Sequence, residues 1–173
     1  MRKLHLAVDA DTGEIAAHVL TEGHADDAAQ VPALLGQAEG VIASVAADGA
    51  YDCEPTYAAA AARQRHPSPE VVVPPEHRQC QAQTKATASR ASVTATSGSH
   101  IRLMAACGRM GWQKATGYGR RNQAETAMAR YKQLIGPKLR ARSLSAQRGE
   151  VAIAAAVLNK IIRTAKPAST RVA

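Results

Sequence analysis

Apolar and polar positions alternate in residues 3–8 (KLHLAV) before turning wholly apolar, and Asp11-Thr12-Gly13 is a turn signal. Residues 14–20 (EIAAHVL) form a second short strand pattern, so residues 3–20 predict a β-hairpin. Asp26 and Asp27 stand where a helix cap is needed, predicting a helix to about Leu35 that Gly36 and Gly40 close. The apolar run 41–47 (VIASVAA), bounded by Gly40 and Asp48-Gly49, has the pattern of a buried strand with helices on both faces. An Ala-rich helix is predicted over residues 54–65 with Asp52 as its cap, then a short strand at 70–73 stopped by Pro74-Pro75. Residues 76–100 contain QAQTKATASRASVTATSGSH, poor in large apolar side chains, and predict a loop or linker. Two helices follow, at 121–135 ended by Gly136-Pro137 and at 145–163 with Pro167 beyond. This order is mixed α/β.

Composition adds bounds. The chain of 173 residues has room for one domain spanning 1–173, with the 76–100 stretch inside it. Its hydrophobic content is 46%, but Ala dominates, Phe is absent and aromatics make up 3%. Small side chains bury little apolar area, at about 25 cal/mol per Å², so modest stability is expected. Cys53, Cys80 and Cys107 are far apart and form no CxxC pair, which argues against a disulfide framework and for a reducing cytoplasm. No apolar run approaches the roughly 18 residues of a membrane span. The N-terminus lacks the apolar core of a signal peptide.

Charge changes the picture more. Residues 1–60 carry two Lys/Arg against ten Asp/Glu, a net of −8, whereas residues 61–173 carry twenty against four, a net of +16. A basic second half suggests a polyanion-binding surface, with a merely solvated basic face as the plain alternative.

Two carboxylates stand out against that background. At about 100° per residue, Arg121, Glu125, Met128 and Lys132 share one stripe of a helix. Ala124, Ala127, Tyr131, Leu134 and Ile135 form a separate packing face. Glu125 thus sits among cations on a rigid element, although an Arg121–Glu125 surface ion pair would give the same spacing. Asp48 follows the predicted central strand, where α/β proteins place ligands and metals, although Asp48-Gly49 also fits a simple turn. Paired carboxylates of this kind suit two Mg²⁺ ions in phosphoryl transfer, with DNA as the anion.

The segment YGRRNQAETAMARYK fits Tyr-x2-Arg-x3-Glu-x6-Lys at Tyr118, Arg121, Glu125 and Lys132. It resembles the signature of DDE transposases of bacterial insertion sequences, in the group that includes insertion sequences four and five. RKLHLAVDADTGEI resembles the strand pair after their first catalytic strand. ADGAYD resembles the segment bearing their second catalytic Asp, and VVVPP the next strand. The region GRMGWQKATGYGRRNQAETAMARYKQLIGPKLRAR, with the helix ending in VLNKI, resembles their C-terminal part.

The resemblance implies an RNase H-like mixed sheet flanked by helices and Mg²⁺-dependent DNA strand cleavage and transfer. It makes Asp48 and Glu125 the catalytic, metal-binding carboxylates. Tyr118, Arg121 and Lys132 become the residues that engage DNA near a transposon end. It further implies dimers on paired ends, a nucleoid-associated bacterial protein, and neither a membrane nor a small-molecule substrate. The family's first catalytic Asp lies on a strand ahead of KLHLAVD and has no counterpart here, since Asp9 and Asp11 match the hairpin turn. The expectation is a transposase catalytic domain lacking its first strand and inactive alone. The alternative is a non-catalytic DNA-binding remnant. Trp112 and Tyr118 are candidates to stack on an unpaired base, with ordinary packing an equally good reading of Trp112. A zinc site from His77, Cys80, Cys53 and Cys107 is disfavoured by the spacing.

Overall fold

The computed structural model describes residues 1–63, 69–74 and 91–165, excepting the side chains of 91–97. Strands β1 (Arg2–Val8) and β2 (Ile15–Glu22) form the antiparallel hairpin, with Leu4 opposite Leu20 and Ala7 opposite Ala17. Its turn is organised by Asp9. The Asp9 Oδ1 accepts from the amides of Asp11 (2.8 Å) and Thr12 (3.2 Å). Gly13 then takes φ 75°, a left-handed conformation that favours glycine. Asp9 and Asp11 are thereby committed to the turn, as their sequence context suggested.

A short 3₁₀ turn, Ala28–Gln30, leads into helix α1 (Val31–Gln37). Asp26 braces its start by accepting from the Ala28 amide at 3.3 Å. Asp27 holds the N-cap position of the turn without a side-chain capping bond, and its carboxylate pairs with Lys3 (2.8 Å) and His5 (3.0 Å). Strand β3 (Ser44–Ala46) and strand β4 (Glu70–Val72) pair in parallel, Val45 opposite Val71, across helix α2 (Glu54–Ala62). The cap of α2 is Cys53, not Asp52. Asp52 is buried instead and accepts from the Tyr57 hydroxyl at 2.8 Å.

Helix α3 (Ala91–Thr116) follows, broken at Gly108, whose φ of 71° and ψ of 173° only glycine adopts readily. This corrects the loop expected through residue 100. Residues 91–100 are helical, and residues 76–90 lie outside the described residues, with His77 and Cys80 among them. Ala favours helix, and tertiary partners supply what Ser and Thr lack. His100 is buried with its ring nitrogen 3.3 Å from the Val73 carbonyl oxygen. A 3₁₀ turn at Tyr118–Arg121 opens helix α4 (Asn122–Leu134), and helix α5 (Leu144–Ala165) ends the described chain.

Among the described residues the core is split in three. The hairpin's Ile15, with Leu4, Leu6 and Val8, packs on Ala127 and Tyr131 of α4 and on Ala154, Ala155 and Leu158 of α5. One face of β4 packs Val71 on Tyr57 and Ala60 of α2; on the other, Val72 meets Trp112 and Tyr118. Asn159 locks α5 to the hairpin, accepting from the Ile15 amide (2.8 Å) and donating to the Ile15 carbonyl (2.9 Å).

The expected single mixed sheet is, among the described residues, two sheets: β1 pairs only with β2, and β3 only with β4. Nor is β3 the deeply buried strand that VIASVAA suggested. Val41 is 71% exposed and Ser44 is exposed, because the segment is covered by α2 and α3 through β4 rather than across its own open edge. The segment that follows β3, from Asp48 to Tyr51, borders the candidate site.

The link before α5 is held by Glu150, which accepts from the Arg140 and Ala141 amides at 2.8 to 3.0 Å. The Ala141 and Arg140 amides hold its carboxyl below the usual range. A depressed carboxyl stabilises the fold above its unfolded value, about 4.5, and that contribution disappears as pH falls through the folded value. Glu150→Gln is therefore expected to flatten the acid limb of a stability–pH curve below about pH 4.5. Urea midpoints measured from pH 3 to 7 on both proteins check this.

Candidate active site

Ala47 donates to the Val72 carbonyl at 3.2 Å, carrying the β3–β4 pairing one residue further and placing Asp48 just past the strand. Asp48 then turns the chain: its Oδ1 accepts from the Ala50 amide at 3.0 Å. The turn reading is thus correct, and it leaves Oδ2 free to point elsewhere. That oxygen lies 3.9 Å from Nη1 of Arg121. The other end of the same guanidinium, Nη2, donates to Oε1 of Glu125 at 2.5 Å.

Glu125 stands in the first turn of α4, where the helix dipole favours a carboxylate. Arg121 precedes the helix, at the end of the 3₁₀ turn. Two carboxylates far apart in sequence therefore meet at one cation, and the expected Arg121–Glu125 ion pair is present.

Below them runs a groove of about 490 Å³. One wall is Leu4, His5 and Leu6 of β1, another is Asp48, Ala50 and Tyr51, and the floor is Ala124, Glu125, Met128, Ala129 and Lys132 of α4. The stripe read from the sequence is therefore real and faces the groove. Its packing counterpart is narrower than expected: Ala127 and Tyr131 are buried, while Leu134 is 55% exposed and Ala124 lines the groove.

The groove's acidic wall has an electrostatic signature. The Tyr51 hydroxyl is pushed up to about 12 by burial and then by Asp27, Asp48 and Asp26. Across it, burial holds His5 below the ordinary imidazole range against the pull of Asp27.

Tyr118 and Trp112 stand apart from solvent. Trp112 has no exposure and Tyr118 is 9% exposed, their ring centroids 4.9 Å apart. Neither ring offers a free face to a base, so the stacking reading is corrected and the packing reading of Trp112 holds. The Arg121 guanidinium lies 5.8 Å over the Tyr118 ring, which makes that ring its shelf. Lys132 is exposed on the groove floor. Arg120 pairs with Asp11, tying the 3₁₀ turn to the hairpin turn.

Sequence reading missed this shelf. His100, Leu103, Met104 and Trp112 recur at helical spacing only until Gly108 shifts the phase, which hid the element.

Oxygen donors from a strand end and a helix suit a hard divalent cation in kind. Asp48 and Glu125 would hold one side of it. Among the described residues, no group of three or more His, Cys, Asp or Glu gathers around a common point.

Fold and site together define a mixed α/β protein with one carboxylate past a strand end and one on a helix, above an open groove. A family model described as the transposase DDE domain matches residues 1–160, and the chain belongs to that family. Membership implies DNA transposition and DNA binding, and the family usually uses a divalent metal. No solved structure matches the chain. Among the described residues no helix is long and apolar enough to cross a membrane.

Proposed function

We propose that the chain is the catalytic domain of an insertion-sequence transposase, of the group including insertion sequences four and five. In this reading it cuts and joins DNA strands with Mg²⁺ once an acid-bearing strand lies in the groove. The observation that carries this is the convergence of Asp48 and Glu125 on Arg121 at the groove's edge. The bound metal would supply Lewis-acid stabilisation of the attacking and leaving oxygens.

The chain's own residues do the rest. Asp48 and Glu125 would hold the metal's protein side, while Lys132 and the basic second half would hold the phosphate backbone. Tyr118 acts through Arg121 rather than on DNA directly. Residues of β1 and the segment that follows β3 both line the groove, and a strand seated there would join the two sheets into the mixed RNase H-like sheet. Such a protein works in the bacterial cytoplasm on transposon ends, as a dimer when two ends are paired.

The two-carboxylate set also favours a second reading, a DNA-binding protein that cuts nothing. One comparison separates them. The chain alone, and the chain extended ahead of Met1 by a turn and an alternating apolar strand bearing one Asp, are incubated with Mg²⁺ and supercoiled DNA carrying transposon ends. Nicking by the extended protein, with salt-sensitive binding alone from the shorter one, supports the catalytic reading. Binding without nicking by both supports the second.

A further inference from the structure

Arg121 is the sole cation within ion-pair distance of Asp48 and Glu125 among the described residues. Its side chain is 26% exposed, against 51% for Asp48 and 61% for Glu125, so the carboxylates face solvent and the guanidinium lies beneath them. The arm is steadied from behind by the Tyr118 ring, itself packed on Trp112. Its Nε is buried and has no hydrogen-bond partner. A buried, orphaned donor is an unfavourable feature that a swing of the arm towards solvent or an anion would relieve.

We propose that Arg121 is a built-in counter-cation, which a divalent metal ion must displace from Asp48 and Glu125. The proposal rests on the reading of these carboxylates as metal ligands. Without metal, two like charges from separate elements are brought together only if a cation lies between them, and the guanidinium fork spans both. When metal takes the carboxylates, the fork is released at the groove's edge, where its planar donors fit a phosphate oxygen pair. Metal entry and anion binding are then coupled, and the coupling is reciprocal.

Mn²⁺ binding, read by the electron paramagnetic resonance of the free ion, tests the exchange without any activity assay. Arg121→Gln should bind Mn²⁺ about tenfold more tightly than the wild type, the size expected from removing two exposed ion pairs. Arg121→Lys keeps the charge and should stay near wild-type affinity. Adding Glu125→Gln to Arg121→Gln should abolish the gain. In parallel, Mn²⁺ should tighten binding of a short duplex to the wild type and leave Arg121→Gln unchanged. Affinity for Mn²⁺ that is unaltered or weaker in Arg121→Gln, while Glu125→Gln still loses it, overturns the displacement and leaves the metal site standing. Mn²⁺ affinity indifferent to Glu125→Gln overturns the metal reading itself.

Discussion

Exchanging Glu125 for Gln in the strand-completed protein should lower Mg²⁺-dependent nicking by at least about a hundredfold, in the range seen when one electrostatic partner of a transition state is lost. Glutamine keeps the volume and the helix position but removes the anion that a hard cation requires. The fold should barely notice. Glu125 is 61% exposed and its link to Arg121 is a surface ion pair, worth about 0–1 kcal/mol. The measurement is the rate of conversion of supercoiled to nicked DNA, set beside the melting temperature of each protein. Lost nicking with unchanged melting supports a chemical role for Glu125. Lost melting temperature alongside lost nicking would make it a structural one.

The second large effect concerns stability. Trp112 is wholly buried between Val72 of β4, the Tyr118 ring and the His100 ring, whose centroid is 5.7 Å away. Trp112→Ala should cost about 3–5 kcal/mol through lost burial and the cavity left behind. For a domain of this size each kcal/mol shifts the melting temperature by about 2–4 °C, so a drop of about 10 °C is expected. The Ala-rich chain has little surplus to absorb it: much of its core is Ala, namely Ala17, Ala28, Ala38, Ala60, Ala127, Ala154 and Ala155. The same change undermines the shelf beneath Arg121, so DNA binding should also weaken. Thermal melting by circular dichroism checks the first part. A drop below about 2 °C, less than a single kcal/mol, would mean that Trp112 is not the keystone its burial makes it.

What could be read from the sequence follows from where each element's partners lie. The hairpin, α2, α4 and α5 were legible because their signals are local: alternation, an Ala run, and apolar positions at helical spacing closed by Gly or Pro. Glu125 and Lys132 were placed on one stripe by helical geometry, and both line the groove. Asp52 escapes a local reading, and Trp112 is left open between packing and base stacking, because their partners are not local in the same sense. Asp52 accepts from Tyr57 rather than from a helix amide, and Trp112 is covered by Val72, far off in sequence. Residues 91–100 read as a loop by composition, yet the buried contact of His100 with Val73 supports a helix there. The division of the strands into two sheets was equally out of reach, since pairing across the groove depends on neighbours that no local pattern encodes.

Two carboxylates meeting at one guanidinium explain an ion pair as readily as a metal centre, and ligand chemistry separates the two. A soft thiolate prefers softer ions than Mg²⁺, so Asp48→Cys in the strand-completed protein should be inactive with Mg²⁺ and regain nicking with Mn²⁺ or Cd²⁺. Rescue confined to the thiophilic ions would place a metal directly on residue 48, as the account predicts. Full Mg²⁺ activity in a correctly folded Asp48→Cys protein would contradict it, because the site would then be cutting DNA without this ligand.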